Sequence, residues 1–144
     1  MAEYIPSTRD WVRKQVEQYE ASGGTEAITL KDTGLPVIIV THTGNKSGAI
    51  RKTPLMQVKV GTSYVLVGSQ GGAPTHPVWV HNLRVNPLVE LRDKTEVFSM
   101  HTREVEDGAE RERLWTAAVA AFPPYTEYQQ RTERLIPVFV AELS

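Results

Sequence analysis

LPVIIVTHTGNKSGAIRKTPLMQVKVGTSYVLV, residues 35–67, decides the fold. Its opening, Leu35-Pro36-Val37-Ile38-Ile39-Val40, is apolar, rich in β-branched residues and too short for a helix. That predicts a strand buried on both faces. A loop follows at Thr43-Gly44-Asn45-Lys46-Ser47-Gly48. Residues 53–60 then alternate, with Met56, Val58 and Val60 opposite Gln57 and Lys59, as in a strand with one wet face. Gly61-Thr62 turns the chain into Tyr64-Val65-Leu66-Val67 and closes a hairpin. Gly68-Ser69-Gln70-Gly71-Gly72 is a second flexible loop.

Working outward, Thr75-His76-Pro77 opens a helix, because proline is tolerated in its first turn, and Asn86-Pro87 ends it. Residues 88–92 and 96–105 predict two more strands around Asp93-Lys94. Asp107 with Glu110 resembles a helix cap. Leu114, Ala118, Ala121 and Phe122 form the buried stripe of that helix, which Pro123-Pro124 ends. A short helical patch spans 126–134, and 135–143 predicts a closing strand, partly at an edge because Pro137 cannot donate to a ladder. At the other end, Ser7-Thr8-Arg9-Asp10 resembles a capping box for a helix over about 7–22, with Val12, Val16 and Tyr19 at helical spacing and Ser22-Gly23-Gly24 as its stop. The sum is about six strands, mostly joined by hairpins, and three or four helices. This predicts an α+β fold, a small antiparallel barrel with flanking helices, as one domain over 1–144.

Composition narrows the class. With 144 residues, 40% hydrophobic and 23% charged, the chain fits one globular core without covalent staples. It has no cysteine, which excludes disulfides, thiolate metal sites and cysteine nucleophiles and suits a reducing cytosol. No apolar run approaches the roughly 18 residues of a membrane helix. Met1-Ala2-Glu3-Tyr4 lacks the basic flank and apolar stretch of a signal peptide. A cytoplasmic protein is therefore expected, with no integral membrane span.

The charge pattern says more than its sum of −1. Between Asp32 and Glu90 there is no acid, where an even spread would place about seven. Five bases remain there: Lys46, Arg51, Lys52, Lys59 and Arg84. A β core that excludes charge explains the missing acids; an anion site also explains the retained bases.

Two loops could carry chemistry. In Gly44-Asn45-Lys46-Ser47-Gly48, the glycines free backbone N–H groups, Lys46 and Ser47 add donors, and Arg51 can grip a phosphate or carboxylate with two bonds. A solvated hairpin turn would read the same way. The glycine-rich loop 68–72 leads to Pro77-Val78-Trp79-Val80-His81-Asn82, where a planar ligand can approach the backbone beside Trp79 and Asn82 on one helix face. A core tryptophan with an asparagine cap would also fit. Tyr125 and Tyr128 share one turn and could line a pocket or pack a core. The four histidines, His42, His76, His81 and His101, have no metal-ligand spacing, so no metal is expected. No serine elbow or paired-carboxylate arrangement occurs. Such a site binds more than it transfers protons, which suits a cofactor that carries the chemistry itself.

Taken together in order, Thr43-Gly44-Asn45-Lys46-Ser47-Gly48, Arg51, Pro54-Leu55, Gly68-Ser69-Gln70-Gly71-Gly72, Pro77-Val78-Trp79, Asn82-Leu83, Asn86-Pro87, Tyr125, Tyr128 and Ile136-Pro137-Val138 resemble the deazaflavin-dependent nitroreductase family of actinobacteria. The likeness runs from about Leu35 to the end, roughly three quarters of the chain. It implies a split β-barrel, coenzyme F420 with a polyanionic tail, and hydride transfer to a hydrophobic acceptor such as a quinone, enone or nitro compound. Carried over by position, Lys46, Ser47 and Arg51 would bind the tail. Pro54, Val67, Gly68, Ser69 and Gln70 would lie along the cofactor, Val78, Trp79 and Asn82 at its ring, and Tyr125 and Tyr128 in the acceptor pocket. Asn45, Gln70 and Met56 stand where the family carries arginine, lysine and an aromatic residue.

FMN on the same barrel, or a carrier that holds F420 without turnover, are the alternatives. The pI near 6.4 and the few aromatics argue against nucleic acid. A homodimer would cover the apolar surface of so small a barrel, and peripheral contact with a membrane remains compatible with the composition.

Overall fold

The computed structural model describes residues 3–30 and 32–144; Met1 and Ala2, read above for a leader, lie outside the described residues. The decisive stretch forms β1 (Val37–Thr43) and β2 (Ile50–Met56), an antiparallel hairpin around the loop 44–49. Period-two alternation gives β1 two buried faces. Ile38 and Val40 point into the barrel, while Ile39 packs under α1 (Asp10–Ala21) against Val16 and Tyr19. The Tyr19 hydroxyl pins the helix by donating to the Val37 carbonyl at 2.9 Å and accepting from the Lys94 N–H at 2.6 Å.

The remaining strands are β3 (Lys59–Val60), β4 (Ser63–Val67), β5 (Leu88–Asp93), β6 (Glu96–Glu104) and β7 (Val138–Leu143). They form one antiparallel seven-stranded sheet in the order β2-β1-β5-β6-β7-β4-β3, curled into a half-barrel. The open interior is plugged by α2 (Val78–Val85), which inserts Trp79, Val80 and Leu83 among Leu66, Leu91, Met100 and Phe139. Each such buried side chain contributes roughly 1.5–3 kcal/mol. A second core covers the outer face of β4 and β7. There α3 (Ala109–Ala121) and α4 (Tyr125–Gln130) set Leu114, Ala118, Phe122 and Tyr125 on Val65, Val67, Val138 and Val140.

Several expectations are corrected. The final strand is interior, between β6 and β4. Pro137 precedes it and costs no ladder bond; its carbonyl accepts from the Gly68 N–H at 2.9 Å. The strand predicted over 53–60 breaks at Gln57, whose side-chain amide donates to both Asp93 carboxylate oxygens at 2.9 and 2.8 Å. Beyond the break Val58 is buried, whereas Val60 is exposed. Neither capping box forms. Ser7 accepts from the Arg9 N–H at 3.2 Å in a local turn, and α1 starts at Asp10. Glu110 is spent on Arg103 at 2.9 and 2.8 Å, and Gly108 stands at the cap of α3.

Candidate functional site

One cleft of about 800 Å³ opens between the start of α1, the hairpin β1–β2, the end of β4 and the helices α2 and α4. That size suits a drug-sized or cofactor-sized ligand. Arg9, Arg51 and Lys52 line its cationic end. Its middle is apolar, walled by Pro54, Val67, Val78 and Trp79. Phe122, Tyr125, Tyr128 and Met56 line the aromatic end.

The cationic end is leaner than the sequence suggested. Lys52 is paired with Glu20 at 2.6 and 2.8 Å, Arg84 forks to Glu104 at 2.8 Å, and Lys59 sits over the Tyr64 ring. Acids from α1 and β6 thus neutralise two of the five bases. Arg51 stays on the wall; among the described residues its guanidinium hydrogen-bonds only to the Ile5 carbonyl, at 3.3 Å. Lys46 and Ser47 sit on the exposed loop beyond the cleft wall, and Ser47 turns its hydroxyl inward to accept from the Ala49 N–H at 3.1 Å.

In the middle, the loop after β4 folds into a 3-10 turn, Gln70–Gly72. Ser69 and Gln70 line the cleft; Gly68 lies behind it, where a Cβ would stand 2.7 Å from Val80. Arg134 holds this turn in shape. Its guanidinium donates to the carbonyls of Gly68, Ser69 and Ala73 at 3.1, 2.7 and 2.9 Å and meets His76 Nδ1 at 2.8 Å. Gly72 is required where the turn abuts α4. Its φ is +81°, and a Cβ would stand 2.6 Å from the Tyr128 carbonyl.

At the aromatic end, Phe122 and Tyr125 meet edge-to-face with centroids 4.9 Å apart, and Tyr125 and Tyr128 do the same at 6.1 Å. Burial pushes the Tyr125 phenol well above its usual value, so it stays protonated. On the far wall Trp79 packs its ring 5.7 Å from Phe139 while lining the cleft, so it serves core and site together. Asn82 also lines the cleft, yet its carboxamide is occupied. Its Oδ1 accepts from the Asn45 N–H at 2.9 Å, and its Nδ2 lies 3.1 Å from His42 Nδ1. His42 Nε2 in turn lies 2.9 Å from the Thr53 hydroxyl.

Ten of the thirteen sequence-predicted residues therefore meet at one cleft: Arg51, Pro54, Val67, Ser69, Gln70, Val78, Trp79, Asn82, Tyr125 and Tyr128. Lys46, Ser47 and Gly68 are off its wall. Sequence reasoning missed Arg9, Thr53 and Arg134 as contributors and weighed His42 only as a metal ligand. His42 carried a usable signal, since it continues the inward series Ile38, Val40 along β1. Arg134 carried none, because its partners lie 58 to 66 residues away. Among the described residues no cluster of histidine and carboxylate groups could hold a metal, and no helix is long and apolar enough to cross a membrane.

Residues 11–143 match the family model described as F420H(2)-dependent quinone reductase. An F420H(2)-dependent quinone reductase of Mycobacterium tuberculosis is 37% identical over 110 residues, 74% of this chain and 74% of its own. A solved structure described as an F420-H2 dependent reductase superposes with a TM-score of 0.70 at 48% identity, over 74% of this chain and 94% of that one. Another, described as a domain-swapped dimer, gives a TM-score of 0.73 at 45% identity, over 94% of this chain and all of that one.

Proposed function

The chain belongs to the F420H(2)-dependent quinone reductase family, and on that premise we propose that it passes a hydride from reduced coenzyme F420 to a quinone. The observation that carries this reading is a single cleft with three chemistries in line: guanidinium groups, an apolar slot and a tyrosine-lined pocket. They match the three parts of the reaction: an anionic tail, a planar ring and a flat hydrophobic acceptor. Coenzyme F420, when bound, supplies the hydride from its deazaflavin ring carbon.

The protein's share is binding, orientation and exclusion of water. Arg51 and Arg9 hold the tail through charge-assisted bonds. Pro54, Val67, Val78 and Trp79 form a slot that a ring can fill, and the Ser69–Gln70 backbone, clamped by Arg134, supports its edge. Tyr125 and Tyr128 shape the acceptor pocket. The quinone takes up a hydride and a proton to become the hydroquinone. The protonated Tyr125 hydroxyl or solvent supplies that proton. Conjugated enones and nitro compounds fit the same pocket on the same grounds, as flat, polarised acceptors. As in the similar domain-swapped structure, a homodimer is the expected assembly.

Titration of the protein into F420, followed by fluorescence quenching, and into FMN under equal conditions tests the cofactor. Anaerobic kinetics with reduced F420 and menadione, a nitroaromatic and a cyclic enone test the acceptor. Quenching by F420 with turnover of menadione is expected. Tight FMN binding without F420 quenching would overturn the reading, and F420 binding without turnover of any acceptor would indicate a carrier.

A further inference from the structure

We propose that His42 is a positioning residue: its neutral ring, protonated on Nε2, locks the amide of Asn82 and through it ties the backbone of Asn45, and so the loop carrying Lys46, to the cleft. Its consequence for cofactor affinity rests on the proposed site; the lock itself follows from hydrogen-bond direction. A backbone N–H can only donate, so the Asn45 N–H at 2.9 Å fixes which end of the Asn82 carboxamide is oxygen. The other end is then an NH2 group, 3.1 Å from His42 Nδ1. Nδ1 must accept, which leaves the ring proton on Nε2, donating to the Thr53 hydroxyl at 2.9 Å. One chain of bonds thus runs from the loop 44–49 through α2 and β1 to β2, with every member on or beside the cleft wall.

Protonation of His42 would set an N–H against an NH2. The amide would then flip and strand the Asn45 N–H, or His42 would part from Asn82. The surroundings oppose that charge. His42 is 3% exposed. Arg51, its register partner on β2, is a second cation, and Lys52 beside it is committed to Glu20. On β5 the neighbouring ionisable group is Glu90, exposed and in register with Thr41; α2 carries His81 and Arg84 on its exposed side, the latter held by Glu104. Burial first and Arg51 second hold His42 down to about 4, so the lock is closed at neutral pH.

The test compares His42→Leu, which removes the acceptor, with His42→Asn, whose carbonyl oxygen can take the place of Nδ1. Three readouts are used. In the wild-type protein without cofactor, nitrogen NMR of the imidazole should show the neutral Nε2–H form at pH 7. Hydrogen exchange of the Asn45 amide should quicken at least tenfold in His42→Leu and return most of the way in His42→Asn. F420 affinity, read by fluorescence quenching, should fall roughly two- to fivefold in His42→Leu, no more than loss of the Lys46 side chain itself would cost, with recovery in His42→Asn. An Nδ1–H or doubly protonated ring at pH 7, or unchanged Asn45 exchange in a folded His42→Leu, overturns the proposal. If His42→Leu does not fold, the wild-type imidazole spectrum and His42→Asn still decide it. The first two readouts need no cofactor, so failure of F420 to bind the wild type would sink the functional reading while leaving the lock standing or fallen on its own evidence.

Discussion

Among single residues, the guanidinium on the cleft wall and the lysine on the exposed loop are expected to behave differently, although the sequence placed them side by side. Arg51 lines the cleft with no carboxylate partner among the described residues, so a ligand anion meets it unneutralised. Arg51→Ala should weaken F420 binding about ten- to a hundredfold at low salt, the range of a charge-assisted bond in a sheltered place. Lys46 is exposed beyond the wall, where screening and side-chain entropy keep an ion pair near 0–1 kcal/mol. Lys46→Ala should therefore cost less than about fivefold, and that small effect should vanish in high salt. Fluorescence titrations of both variants at two ionic strengths check this; equal losses would mean that the loop closes onto the tail. The tyrosines call for a different measurement. With Tyr125 protonated by burial and solvent able to supply a proton, Tyr125→Phe and Tyr128→Phe should each lower kcat by less than about a hundredfold. A collapse of turnover at unchanged F420 affinity would identify an obligatory acid.

Elements formed where local pattern and tertiary need agree. The β-branched run of β1, the Gly61-Thr62 hairpin and the Asn86-Pro87 stop of α2 are written in adjacent residues, and each is found where the pattern puts it. What stayed hidden depends on distant partners. Pro137 suggests an edge, but the residues that β7 pairs with lie 35 to 43 positions upstream on β6 and 71 to 77 upstream on β4, and no local signal names them. The caps failed because Glu110 found Arg103 and Ser7 found a nearer N–H. Similarly, the acid-free segment announced an anion site yet could not reveal that Glu20 and Glu104 would claim two of its bases. The contact between the 3-10 turn and α4 joins both kinds of information: a glycine-rich loop is visible in sequence, but which glycine is indispensable is not. Gly72→Ala places a methyl against the Tyr128 carbonyl at a φ of +81°. The strain of that backbone alone costs roughly 1–3 kcal/mol, so a urea midpoint should fall accordingly. Since α4 carries Tyr125 and Tyr128, KM for menadione should rise severalfold. Gly71→Ala, at a φ of +64° but with open space around its Cβ, should lose stability without that shift in KM.

Across the whole molecule, buried ionisable groups set the pH range over which the half-barrel is stable. His42 is held down to about 4, whereas in an unfolded chain it titrates near 6.5. Between those values the unfolded state binds a proton that the folded state refuses, so stability falls as the solution is acidified from about pH 6.5 toward 4. By pH 5 the loss from this one group is about 2 kcal/mol, and below about 4 it levels off because both states are then protonated. Tyr64 sets the opposite limit. Burial and the bond to Asp93 at 2.6 Å raise its phenol, so the unfolded chain ionises first and stability falls as pH rises past 10. The acid arm can be assigned by difference. His76 is also lowered, by burial and Arg134, and adds a slope of the same sign in every variant that keeps it. His42→Asn removes one titration and leaves His76 in place. Melting temperatures of the wild type and His42→Asn, taken from pH 7 to 5, should diverge. The wild type should lose roughly 4–8 °C more than the variant, since about 2 kcal/mol corresponds to that shift in a chain of this size. Parallel curves would mean that His42 takes up its proton in the folded state, and the barrel would then have to accommodate a charge beside Arg51.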